Sequence, residues 1–241
     1  MKRIYLLIVL TVFSFSLVNA QTENKNVLKF FPTSVAFGKA TLGYERVLSS
    51  NKSLTLYVGI PTGIDPVKYM PEMTEDFINL RSGKISGLFL MSGYRFNFSK
   101  KGAPVGFYIE PYIKHESYTM DFNTDFTLDD EVYPANFYGE YSGFGGGIQM
   151  GVQYIIANFI TLDFSFLGIE AKSADALLTV TDKEGLVDID ELYDEIVNNF
   201  SDIPIIGESF EFEKGSDYVT SKVTNFILPG ARFAFSIGIA F

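Results

Sequence analysis

His115 and Ser117 stand two positions apart, and of all the residues in this sequence their spacing points most directly to chemistry. In an extended chain they leave the same face. His115, the single histidine, would then be placed to take the proton of Ser117 as its hydroxyl attacks an ester. Glu140 is the carboxylate available to orient the imidazole. The bland alternative is a histidine and a serine at a polar boundary with no reaction to perform. A second constellation is electrostatic: Glu45, Arg95, Glu110, Lys114, Asp163 and Arg232 each lie in an alternating segment, on the side carrying small or polar residues. Enclosed together, charges of both signs satisfy one another, as buried charges require. They form either a fixed polar plug, or a gate in which Arg95 or Arg232 changes partner between Glu110 and Asp163 and lets small ions through.

Other chemistries find no support. The segment 172–223 holds thirteen acidic and four basic residues, but Asp182-Lys183-Glu184-Gly185 and Asp188-Ile189-Asp190 lack the spacing of an EF-hand, so the segment reads as a solvated acidic loop. The sequence has no cysteine, which removes disulfides and thiolate metal sites. It has no P-loop, zinc-ligand cluster or dinucleotide fingerprint. No metal and no cofactor is expected.

The elements that position these residues announce themselves by alternation. From Arg232, the residues Phe233, Phe235, Ile237, Ile239 and Phe241 fall on one face, and Ala234, Ser236, Gly238 and Ala240 fall on the other. The same pattern predicts strands over 27–37, 40–48, 53–60, 85–98, 104–118, 137–156, 159–171 and 224–241. Pro32 predicts a bend or bulge in the first. In the sixth, Gly143, Gly145, Gly147 and Gly151 share the small face, which suits close packing. Large apolar residues such as Leu54, Leu90, Ile113, Phe144 and Phe164 form the other face. A closed sheet in a membrane explains such stripes: the oily side meets lipid, the polar side fills the interior, and no edge is left open.

The connections 49–52, 99–103 and 157–158 are short, and 61–84, 121–136 and 172–223 are long, with only the Gly38-Lys39 link breaking the pattern. Short periplasmic turns and long external loops characterise outer-membrane barrels. Within the last loop, Ile189, Leu192, Tyr193, Ile196, Val197 and Phe200 recur at helical spacing behind an N-cap at Asp188, so a short amphipathic helix is expected there. Its apolar stripe would cap the mouth of the barrel or dock a partner. An eight-stranded barrel is just wide enough to be filled by side chains, so no broad pore is expected.

Residues 1–20 read as a secretory signal peptide: Lys2 and Arg3, an apolar run over 4–18, and Val18-Asn19-Ala20 at the exit. One domain is expected over 21–241. Removing Lys2 and Arg3 moves the formal net charge from −10 to about −12, which disfavours nucleic acid as a partner. There are 24 Phe and 14 Tyr but no Trp, leaving Tyr to occupy the interfacial girdles.

On Asn26-Val27-Leu28-Lys29, Ala36-Phe37-Gly38, Leu42-Gly43-Tyr44-Glu45-Arg46, the strand from Leu54 to Gly59 and the last strand, the chain resembles the small eight-stranded outer-membrane barrels of the OmpA/OmpX-like group. That resemblance implies an all-β, eight-stranded antiparallel transmembrane barrel with periplasmic termini in a Gram-negative outer membrane. It also implies outer-membrane lipid as surroundings, and a last strand (Phe235, Ile237, Ile239, Phe241) read by the barrel-assembly machinery. It implies no settled activity. Three functions follow as expectations: a non-enzymatic envelope protein that presents its loops to an external ligand, a narrow channel, or a lipid A-modifying enzyme. The last rests on the His-x-Ser of His115 and Ser117, which resembles the lipid-facing arrangement of outer-membrane lipid A deacylases.

Overall fold

The computed structural model describes residues 25–65, 67, 78–128, 131–185, 187–201 and 209–241. The segment read as a secretion signal lies outside them. The described residues form one all-β unit, a single antiparallel sheet of nine strands. In chain order the elements are β1 (Asn26–Phe30), α1 (Pro32–Ala36), β2 (Lys39–Ser49), β3 (Lys52–Pro61), β4 (Ile78–Asn97), β5 (Gly106–Leu128), β6 (Glu131–Ile156), β7 (Ile160–Asp182), α2 (Ile189–Ser201), β8 (Glu211–Lys214) and β9 (Tyr218–Ala240). Each strand pairs with its successor as far as β7, which pairs with β9, and β9 pairs with β1 to close the ring. β8 lies outside this circuit and pairs with β9 alone.

The closure is staggered. Following paired residues from Phe30 through Leu42, Val58, Leu90, His115, Phe144 and Ser173 leads to Ile227, yet Phe30 itself pairs with Ile237 further along β9. Such an offset tilts the strands of a closed sheet by roughly 35–45°.

The predicted alternation is realised around this ring. Leu42, Leu54, Leu56, Ile113, Phe144, Ile148, Phe164, Phe233, Ile237 and Ile239 are exposed, while Lys29, Glu45, Thr55, Arg95, Glu110, Gln153, Asp163 and Ser236 are buried. The inside is mainly polar, with Phe31, Tyr57, Phe89, Met91 and Tyr112 packed there as one cluster, and the outside is oily. Phe164 and Phe235 pack together, with ring centroids 4.6 Å apart, on the outer surface.

Three expectations are corrected. The first strand does not run to residue 37 but stops at Phe30, and Pro32 opens a five-residue helix instead of a bend. Proline has the φ of a first helical residue and no N–H to offer a sheet. Gly38, at a φ of +72°, then turns the chain into β2. Second, the segment 121–136 is not a long loop: β5 continues to Leu128, β6 begins at Glu131, and only 129–130 separates them. β4, β7 and β9 likewise overrun their predicted ends. These five strands have 20 to 26 residues, against 5 to 11 in β1, β2 and β3, so a tall wall stands above a low one. Third, β8 was not foreseen.

The helix expected over 188–200 is α2. The Asp188 carboxylate accepts a hydrogen bond from the Asp190 N–H, satisfying one of the orphan donors of the first turn. Leu192 and Ile196 pack with Ala135, Val180 and Val219 of the tall wall. Those wall residues continue the inward-facing parity of β6, β7 and β9, so α2 folds back over the interior side of the overhang. Asp190 also pairs with Lys214 of β8 and raises the ammonium pKa above its ordinary value. Truncating Leu192 or Ile196 to Ala should cost about 2–5 kcal/mol locally. Limited proteolysis should then cleave within 183–217 while the ring below stays intact, and simultaneous loss of both would contradict this packing.

Candidate functional site: a closed charge network inside the ring

Five strands deliver charge to one level of the interior. Lys29 of β1, Glu45 of β2, Arg95 of β4, Glu110 of β5 and Asp163 of β7 are all buried. Arg95 is the hub. Its Nε donates to Glu110 Oε2 at 2.9 Å, and Nη2 lies 2.7 Å from the same oxygen. Nη1 donates to Asp163 Oδ2 at 3.0 Å and to Gln153 Oε1 at 2.7 Å, with Glu45 Oε2 at 3.4 Å. The planar fork of a guanidinium suits such multiple recognition, which a lysine could not reproduce. Lys29 Nζ completes the network, lying 2.6 Å from Glu45 and 2.7 Å from Asp163.

Three carboxylates thus share two cations, and hydroxyl donors carry the excess. Ser53 donates to Glu45, Thr55 and Tyr57 to Glu110, and Tyr108 to Asp163 at 2.8 Å. Tyr108 also places its ring 3.5 Å from the Arg95 guanidinium carbon, a cation–π contact in a desolvated setting. The cavity beside Arg95 and Asp163 measures about 10 Å³, room for roughly one water. At this level the interior is shut.

A second cluster sits further up the ring. Lys114 of β5 pairs with Glu170 of β7 at 2.5 Å, Lys172 pairs with Glu116 at 2.8 Å, and Tyr112 donates to Glu170 at 2.8 Å. Each contact spans β6, which lies between β5 and β7. The crossing is open because β6 carries glycine there: a Cβ on Gly147 would come 2.9 Å from Cα of Glu170, and one on Gly145 would come 2.6 Å from Cα of Lys172. The glycine-rich face expected from the sequence therefore has a specific use.

Of the six predicted interior charges, Glu45, Arg95, Glu110 and Asp163 share the lower network. Lys114 belongs to the upper cluster. Arg232 stands apart from the carboxylates, its Nε donating to Gln149 Oε1 at 3.1 Å. Lys29 was missed because the broken first strand gave no face assignment. Glu170 and Lys172 were missed because of a bulge: the β7 register shifts between Ser165 and Gly168, leaving Phe166 and Leu167 both exposed. The extra residue flips the parity beyond it and turns Glu170 and Lys172 inward.

His115 and Ser117 lie on the outer face of β5, as expected. Among the described residues no hydrogen bond joins them. Glu140 pairs in register with Thr119, whereas the residue opposite His115 is Phe144. That offset of four residues separates Glu140 from His115 by roughly 13 Å along the strands. Glu140 instead accepts a 2.6 Å hydrogen bond from Tyr138. The trio is not assembled as an acyl-transfer site. The last strand presents Ile237, Ile239 and Phe241 outward, with Phe235 half-buried beside Phe164. Among the described residues no group of His, Cys, Asp and Glu is placed to hold a metal.

No family model matches the chain, and neither a curated protein nor a solved structure matches it significantly.

Proposed function

We propose that this chain is a non-enzymatic outer-membrane β-barrel protein of a Gram-negative envelope, closed inside by its charge network and presenting an acidic, helix-bearing cap to the exterior. One observation carries this reading: the sheet closes on itself through the β1–β9 pairing, and around that ring most large apolar side chains face out while the ion-paired charges face in. Water gives no reason for that arrangement; hydrocarbon does, since it favours apolar side chains outside and demands that charges be enclosed. On this reading the links 50–51, 98–105 and 157–159 are periplasmic and the overhanging wall with α2 is extracellular. The apolar run over 4–18 fits export, and outer-membrane lipid and the barrel-assembly machinery are the implied partners. α2 carries Asp190, Glu191 and Asp194 outward, so an external partner would be cationic or neutral in its contact region.

The channel alternative requires the Arg95 network to part, and the geometry favours closure. The test is reconstitution into phospholipid vesicles. The purified protein should float with the lipid, migrate differently in gel electrophoresis before and after boiling, and give no discrete conductance steps in a planar bilayer. Stable, detergent-free solubility would reject the barrel reading, and steady conductance would reject the closed interior.

A further inference from the structure

The ring has a weak seam. β1 pairs with β2 only up to Leu42 and with β9 only up to Ile237, because it ends at Phe30. Above that point α1 replaces the strand, linked to β9 by the Thr33 hydroxyl, which donates to the Phe235 carbonyl at 3.4 Å. β8 takes up pairing only at 219–222. Among the described residues, β9 from 223 to 236 therefore has a strand on one side alone. Pro229 falls in this stretch, where an edge tolerates a residue without an N–H.

The seam leads to unspent positive charge. Lys39 at the start of β2 and Arg232 on β9 stand on its two sides, and both approach one aromatic ring: Lys39 Nζ is 4.1 Å and the Arg232 guanidinium carbon 5.7 Å from the centroid of Phe89. Among the described residues neither forms an ion pair. The acid facing Lys39 is Glu116, which Lys172 and Lys114 already share at 2.8 and 3.5 Å. Counting Lys39, Lys114, Lys172 and Arg232 against Glu116 and Glu170, four cations surround two carboxylates in this chamber. The outer lips of the seam are oily: Phe37, Leu42 and Phe233 are 78, 57 and 71 % exposed.

We infer that the seam between β2 and β9 is a lateral binding site for a phosphate-bearing anionic lipid, its head group held between Lys39 and Arg232 and its chains lying along Phe37, Leu42 and Phe233. Two cations without a carboxylate of their own beneath an apolar cleft match an amphiphile with a charged head better than a free solute, which has no use for the exposed apolar lips. The inference rests on the outer-membrane reading and adds a site to it.

The test uses the full mature chain in phosphatidylcholine vesicles doped with phosphatidylglycerol, with native mass spectrometry of the extracted protein reading the bound lipid. The unaltered protein should retain phosphatidylglycerol in preference to phosphatidylcholine. Lys39→Gln with Arg232→Gln should lower that retention about tenfold, the loss of charge-assisted contacts, whereas Lys84→Gln on an exposed strand position should not. Heat-modifiable migration confirms that each variant is folded. Folded, inserted protein with no phosphatidylglycerol preference, or with one unaffected by the double substitution, overturns the lipid site and leaves the barrel reading standing. Inorganic phosphate displacing the lipid at micromolar concentration overturns the lipid as occupant. Failure of the unaltered protein to insert overturns both.

Discussion

Replacing Arg95 with methionine is expected to cost about 3–5 kcal/mol of folding stability, the range for removing one partner of a buried ion pair. Methionine fills much of the space, so the loss is electrostatic rather than a cavity effect. Glu45 and Asp163 would share Lys29, and Glu110 would keep no cation. Glu110 suffers most, since it receives two of the guanidinium contacts, and Thr55 and Tyr57 give it only hydroxyl donors. Urea unfolding in detergent micelles, followed by the boiled-to-unboiled shift in migration, measures the change. Adding Glu110→Gln to Arg95→Met should recover part of the loss, because the orphaned charge is then gone, and the double-mutant cycle gives the coupling directly. An Arg95→Met protein as stable as the parent would mean that these groups are solvated and the interior is not closed. The same variant is also the place to seek conductance, since the guanidinium bridges the carboxylates of three strands at this level of the ring.

The second large effect lies on the opposite side of the same strands. Phe164 follows Asp163, so its ring sits outside at the level of the charge network and packs against Phe235. On the barrel reading this is near the bilayer midplane, where Phe164→Lys should cost about 2–4 kcal/mol and depress assembly into vesicles. In a water-soluble protein the substitution would lose only the aromatic contact with Phe235, about 0.5–1.5 kcal/mol. Comparing the folded yields of Phe164→Lys and Lys84→Glu in vesicles measures the contrast. Equal yields would speak against lipid at Phe164.

The sequence made the faces legible, and the reason is physical. Each residue of a strand alternates sides without exception until a bulge intervenes, so Glu45, Arg95, Glu110 and Asp163 could be placed inside from parity alone. Their joint contact with one guanidinium could not, because it depends on the stagger with which the ring closes. Legibility failed in three places. Pro32 hid the face of Lys29. The bulge at Phe166 and Leu167 reversed the parity that would have brought Glu170 and Lys172 inward. The upper halves of β4, β5, β6, β7 and β9 lack a consistently oily side, so 121–128 and 131–136 read as loop although every residue there is paired. His115 and Ser117 share a face by strand parity, while the register that keeps Glu140 away from them is a property of two strands together.

The decisive question is which face of the sheet meets hydrocarbon. Because the chain has no Trp, a single one introduced as Phe164→Trp or Phe89→Trp is a clean reporter in vesicles containing lipids brominated in their acyl chains. Strong fluorescence quenching is expected at position 164 and little at position 89, whose ring is buried inside the wall. Strong quenching at 89 with none at 164 would contradict the barrel reading.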